Sequence, residues 1–195
     1  MEKITFVVLA KSYKPGGRCI AGKLATLQEN NTLQIGAWVR PVPNDGIGHS
    51  ALSEEMYRYE DGSEVRVLDV VEVDKVSIAE VPGQPENFVF DESKPWKKVA
   101  SLRADSITNI LDTVESIWHE QGVDTNIVSA LYDQSGEIAQ SLCLVKPSSF
   151  VVTLSHDYND YEGRFKKKIV ADFDYNGVRY EGLSVTCPST RRIFF

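Results

Sequence analysis

Six residues near the start of the chain, Ile4-Thr5-Phe6-Val7-Val8-Leu9, form a short run rich in β-branched and aromatic side chains. The Lys11-Ser12-Tyr13-Lys14-Pro15-Gly16-Gly17 stretch that follows carries turn residues, so the run reads as a strand and the stretch as a loop. Leu24 to Gln28 and Thr32 to Ile35 flank Glu29-Asn30-Asn31 and predict a hairpin. Val67 to Val73 reads as another strand, with Lys75 to Val81 pairing against it before Pro82-Gly83 breaks the run. Ser141 to Val145 and Phe150 to Leu154 resume the strand pattern. Lys167 to Tyr175 and Val178 to Thr186 alternate around Asn176-Gly177, a strong short-range hairpin signal.

The period changes once. Ile107, Ile110, Leu111, Val114, Ile117 and Trp118 recur at helical spacing, which predicts a helix over Ser106 to Gln121, capped by Asp105 or Ser106 and ended by Gly122. Strands, one helix and strands again predict a mainly β chain with two small barrels or sandwiches rather than a βαβ sheet. The expected division is a first barrel over residues 1–95, a helical connection over 96–122 and a second barrel over 123–195.

Charge adds a second pattern. The chain of 195 residues carries a net charge of −7, but residues 1–48 sum to +3, residues 49–145 to −12 and residues 146–195 to +2. An overall acidic protein is a poor general ligand for phosphate backbones, whereas mildly basic ends around an acidic middle leave room for a local site. No run approaches the roughly 20 apolar residues of a membrane-spanning helix. Cys19, Cys143 and Cys187 are odd in number and widely separated, which suits a reducing compartment. The expectation is a soluble, cytoplasmic protein with no membrane association.

Catalytic signatures fail on inspection. Gly17-Arg18-Cys19-Ile20-Ala21-Gly22-Lys23-Leu24 has the GxxxxGK spacing of a phosphate loop, but Leu24 stands where a magnesium-binding hydroxyl is needed, and a hairpin follows instead of a helix. Gly182-Leu183-Ser184-Val185-Thr186 lacks the second glycine of a nucleophile elbow. His49, His119 and His156 have no second ligand at a metal-like spacing. No catalytic residue, metal site or cofactor is predicted. An enzyme acting on a nucleotide, with Lys23 and Cys19 as its place of action, is the weakest of three readings.

Binding chemistry is better represented. Lys11, Lys14 and Arg18 surround Gly16 and Gly17, whose backbone amides could approach a phosphate, and Trp38 and Arg40 follow in the same half. Tyr57-Arg58-Tyr59 is a second aromatic and basic cluster. Tyr158, Tyr161, Arg164, Phe165, Lys166, Lys167 and Lys168 form a third. Aromatic faces beside cations are what a single-stranded nucleic acid requires. The expected site is therefore Lys11, Lys14, Gly16, Gly17, Arg18, Trp38 and Arg40. A second reading is a regulatory subunit whose acidic residues 49–145 dock a basic protein partner.

Four blocks in order strengthen the first reading. Leu9 to Gly22, Trp38-Val39-Arg40-Pro41-Val42, Tyr59-Glu60-Asp61-Gly62 leading to Leu68-Asp69-Val70-Val71, and Gln84-Pro85-Glu86-Asn87 resemble the dual OB-containing domain family of bacterial proteins. The sequence departs from the family pattern at Tyr13, where a basic residue is favoured. The resemblance implies that both barrels are OB-like. It also implies a non-catalytic role in recognising nucleic acid or a nucleotide-like ligand, in a setting of bacterial defence or conflict.

Overall fold

The computed structural model describes residues 2–29, 32–117, 141–159 and 163–194. Six strands build the first unit: β1 (Glu2–Lys14), β2 (Gly17–Leu27), β3 (Leu33–Val42), β4 (Asp69–Ile78), β5 (Asn87–Phe90) and β6 (Lys97–Ser101). Their order is β1-β2-β3-β5-β4-β6, and a further pairing of β1 with β4 closes five of them into a barrel. β3 and β5 run parallel, while the other neighbours are antiparallel.

Closure depends on the length of β1. Its first half pairs with β4 through Glu2 to Val7, and its second half pairs with β2 from Phe6 to Lys14, with an irregularity between Val8 and Ala10. A Cβ on Gly22 would lie 1.9 Å from the Val7 carbonyl oxygen, so only glycine lets β2 cross β1 there. Phe6, Val8, Ile20, Val71, Val73, Phe88, Phe90 and Trp96 belong to the main core cluster. The intervening residues Val7 and Val70 are buried in a second cluster with Ala25 and Ile110, against which Leu9, Leu102 and Leu144 pack. Burial on two faces explains why Ile4 to Leu9 reads as an apolar run rather than an alternation.

The second unit is an antiparallel meander of β7 (Ser149–Asn159), β8 (Arg164–Tyr175) and β9 (Val178–Ser184). Asn176 and Gly177 turn the β8–β9 hairpin with φ of 49° and 78°, the positive pair that a tight hairpin needs. A short helix, α1 (Pro188–Phe194), follows. The Tyr13 amide of β1 donates to the Thr186 carbonyl at 2.7 Å, which fixes the approach to α1 against the first unit.

Lys11 to Lys14 continue β1, so the loop is only Pro15-Gly16. Lys75 to Val81 does not pair back on Val67 to Val73, because Asp69–Ile78 is one strand whose partners are β1, β5 and β6. The helix expected from Ser106 is a 3-10 turn, Ala104–Asn109, after which residues 110–117 are irregular; residues 118–121 lie outside the described residues. Its apolar spacing is used differently. Ile110 packs on the barrel, the Asp112 amide donates to the Leu144 carbonyl at 2.8 Å, and the Val114 carbonyl accepts the Tyr175 hydroxyl at 2.8 Å. Tertiary partners for those backbone groups override helix propensity. Leu142 to Val145 is likewise irregular rather than a strand, lying as a strap over the barrel. The one α-helix among the described residues is α1.

Candidate nucleic-acid interface

The β1–β2 hairpin ends in Pro15-Gly16, with Tyr13 opposite Arg18 and Lys14 opposite Gly17. Proline followed by a residue of positive φ is the type II signature, and Gly16 has φ +88° with open space where a side chain would stand. Gly17 is glycine for another reason: its Cβ would lie 2.0 Å from the Leu52 carbonyl oxygen, because Arg18 and Leu52 exchange backbone hydrogen bonds at 2.9 and 2.8 Å.

Tyr13 is 47% exposed on this hairpin. The Arg18 guanidinium lies 5.6 Å from its ring centroid and that of Arg191, from α1, lies 5.4 Å away, both within cation–π range. Arg192 is exposed on the same short helix. Lys14 donates to the His49 carbonyl, and Arg18 donates to the Gly17 carbonyl. Neither is in an ion pair with a described carboxylate, so both charges are available to an anion.

The other expected cations are already neutralised. Lys11 donates to Glu64 Oε2 at 2.6 Å and to the Val65 carbonyl at 3.0 Å, and its ammonium stands 4.6 Å from the Tyr57 ring centroid. That hydrogen bond holds the Glu64 carboxyl below its usual range. Arg40 is ion-paired with Glu86, donates from Nε to Asn87 Oδ1 at 2.6 Å, and reaches Ser141 Oγ at 2.9 Å. Trp38 is 6% exposed, and its indole N–H donates to Asp112 Oδ2 at 2.9 Å. Lys11, Arg40 and Trp38 are therefore bound into the protein, whereas Lys14, Gly16 and Arg18 remain at the surface with Tyr13.

Asp112 and Glu86 are the site-proximal residues that the sequence reading missed. Asp112 accepts from Lys23 Nζ at 2.6 Å, from Trp38, and from the Leu144 amide at 2.7 Å, while Lys23 also donates to the Ile110 carbonyl at 2.7 Å. Burial pushes the Asp112 carboxyl up, but the hydrogen bonds from Lys23, Leu144 and Trp38 outweigh it and hold the group below the ordinary carboxylate value. A depressed folded-state pKa contributes stability above the unfolded value of about 3.9 and loses it as pH falls further. Asp112→Asn should therefore lower stability at neutral pH and flatten the loss of stability with acid below about pH 4, as read from urea unfolding midpoints across pH.

Three of the four sequence blocks also find partners among themselves. Arg40 of one block meets Glu86 and Asn87 of another, and the Tyr59 hydroxyl donates to Asp69 Oδ2 at 2.7 Å. Burial first, then that hydrogen bond, raises the Tyr59 phenol far above its ordinary value. Tyr57 is buried, and Arg58 is held by Glu54 and the Gly62 carbonyl, so the second aromatic and basic cluster is consumed internally. Tyr161 of the third cluster lies outside the described residues, as do the side chains of Tyr158, Arg164 and Lys166. Phe165, Lys167 and Lys168 are exposed on β8.

A cleft of about 920 Å³ opens beside β4 and β6, lined by Tyr59, Arg66, Asp69, Trp96 and Lys98 among others. Much of the negative charge there is balanced: Lys98 pairs with Asp69 at 2.5 Å, Lys3 with Glu72 at 2.5 Å, and Lys94 with Asp74 at 2.8 Å. The acidic middle is thus partly a source of internal ion pairs. Among the described residues there is no metal-like grouping of His, Cys, Asp and Glu, and no helix long and apolar enough to cross a membrane. Gly17 to Lys23 lies wholly within β2, so the phosphate-loop spacing has no helix behind it.

The family model of the dual OB-containing domain matches residues 4–194. No curated protein and no solved structure matches the chain.

Proposed function

The chain belongs to the dual OB-containing domain family, and from that premise we propose that it is a recognition module for single-stranded nucleic acid. An OB barrel takes oligonucleotides on the face of its second and third strands and on the loops that flank it, one of which is the β1–β2 turn. The observation that carries the reading is the exposed Tyr13 ring at that turn, with Arg18 and Arg191 on it and Lys14 beside it. An aromatic face accepts a base of any sequence, and the adjacent cations meet the phosphates. Tyr13 thus serves by stacking where the family pattern favours charge. Gly16 matters because an open turn without a side chain lets a backbone approach closely.

Fluorescence anisotropy with labelled single-stranded DNA and RNA tests this. Tyr13→Ala is expected to weaken binding by about 1–3 kcal/mol, the usual value of one stacked base. An unchanged affinity in the folded variant would remove the hairpin from the site. A setting in bacterial defence belongs to the same proposal, and adjacency of the gene to nucleases or helicases would support it.

A further inference from the structure

The β2–β3 face, where an OB barrel takes an oligonucleotide, is covered in this chain by the chain itself. Residues 110–112 and 141–144 lie across it, with Ile110 and Leu144 in the same apolar cluster as Ala25, Leu33 and Ile35. Two carboxylates anchor this cover. Asp112 takes the ammonium of Lys23 and the indole N–H of Trp38, whose side chains project from paired positions of β2 and β3. Glu86, in the β4–β5 loop, takes Arg40 and accepts the Ser141 amide at 3.2 Å. Asp112 and Leu144 also exchange hydrogen bonds, so the two covering pieces are tied to each other.

We propose that Asp112 and the 141–144 strap are a built-in competitor for the barrel's own ligand face, holding Lys23 and Trp38 in place of a nucleic-acid phosphate. The inference rests on the nucleic-acid reading above and adds to it a second, gated part of the site. The chemistry of the substitution is direct. A carboxylate offers what a phosphodiester offers, an anionic oxygen pair for one ammonium and one N–H donor. Because the competitor is part of the same chain, its effective concentration is high. The apparent affinity of the face is then the intrinsic affinity multiplied by the small fraction of molecules in which the strap has opened. Binding through Tyr13 and Arg18 at the neighbouring turn does not require opening, so the hairpin holds a strand while the face is uncovered.

The test is titration of fluorescein-labelled oligodeoxythymidylate against the full chain and three variants at one salt concentration. Asp112→Asn removes the competing charge and is expected to bind at least about tenfold more tightly, in line with a larger competent fraction. Adding Lys23→Met to Asp112→Asn should abolish that gain. Asp105→Asn makes the same change in net charge at an exposed pair with Arg103 and should leave affinity as it was. If the unaltered chain binds but a folded Asp112→Asn binds no better, or gains no more than Asp105→Asn, the competitor is overturned and the hairpin reading stands. If neither the chain nor Asp112→Asn binds at low salt, both readings fall. Should Asp112→Asn not fold, hydrogen exchange in the unaltered chain decides: the Asp112 and Leu144 amides should lose protection when the oligonucleotide is added, and unchanged protection in the bound state would overturn the competitor.

Discussion

Arg40→Ala is expected to lower the stability of the protein by about 3–5 kcal/mol, the cost of leaving a buried ion without its partner. The Glu86 side chain is 2% exposed and that of Arg40 13%. Truncation also removes the Nε hydrogen bond to Asn87 Oδ1 and the link to Ser141 Oγ. The size of the effect separates two roles that look identical in the sequence. An arginine that meets phosphate from the surface would be removed at a cost within about 0.5 kcal/mol, and the loss would appear in affinity instead. Arg18→Ala is expected to behave that way. Urea unfolding of the two variants side by side gives the comparison, and an Arg40→Ala midpoint close to that of the unaltered chain would show that the Glu86 pair does not hold the loop.

The second large effect is expected at Trp96, which is 2% exposed and meets Phe6 and Phe90 edge to face, both at 5.8 Å between ring centroids. Trp96→Ala empties the centre of the main core cluster and should cost about 3–5 kcal/mol. Trp96→Phe should cost less than Trp96→Ala, since it keeps an aromatic ring against Phe6 and Phe90, and for a further reason. The indole Nε1 has no hydrogen-bond partner among the described residues, so phenylalanine removes a buried donor without breaking a bond. Thermal unfolding of both variants tests the pair. Equal losses would mean that the indole N–H is satisfied and that its hydrogen bond contributes as much as the packing.

The strands were legible where a local signal sufficed. Asn176-Gly177 marked a hairpin because only a few residues adopt two positive φ angles in succession, and β8 and β9 meet there. Ile4 to Leu9 marked a strand. What failed was the assignment of apolar residues whose partners are distant. Ile107 to Ile117 carries a helical period, yet Ile110 and Val114 are engaged by Leu144 and Tyr175, more than thirty and sixty positions away in rough terms. The candidate site divided for the same cause. Lys11, Arg40 and Trp38 had the right chemistry for nucleic acid, but Glu64, Glu86 and Asp112 lie far along the chain, and nothing near either partner announced a pairing. Tyr13, where the sequence departs from a basic pattern, is the exposed aromatic beside Lys14 and Arg18 at the β1–β2 turn. For Arg40 alone a signal existed, since its block and the Glu86-Asn87 block place an arginine and a carboxylate that are natural partners.

The same division explains the charge pattern. The acidic middle supplies Glu64, Glu86 and Asp112 to cations of the basic first segment, so part of the contrast between +3 and −12 is cancelled inside the fold. Lys14 and Arg18, which make no ion pair with a described carboxylate, leave the β1–β2 turn as the proposed place for an anionic ligand.

Salt dependence of single-strand binding tests that placement most directly. The unaltered chain should bind a labelled oligonucleotide at low salt, with log affinity falling linearly against log salt, and Arg18→Ala should make that slope shallower by about 0.7, the value of one phosphate contact on a single strand. Absence of binding at low salt, or an Arg18→Ala slope equal to that of the unaltered chain, would contradict the assignment of the hairpin as the nucleic-acid interface.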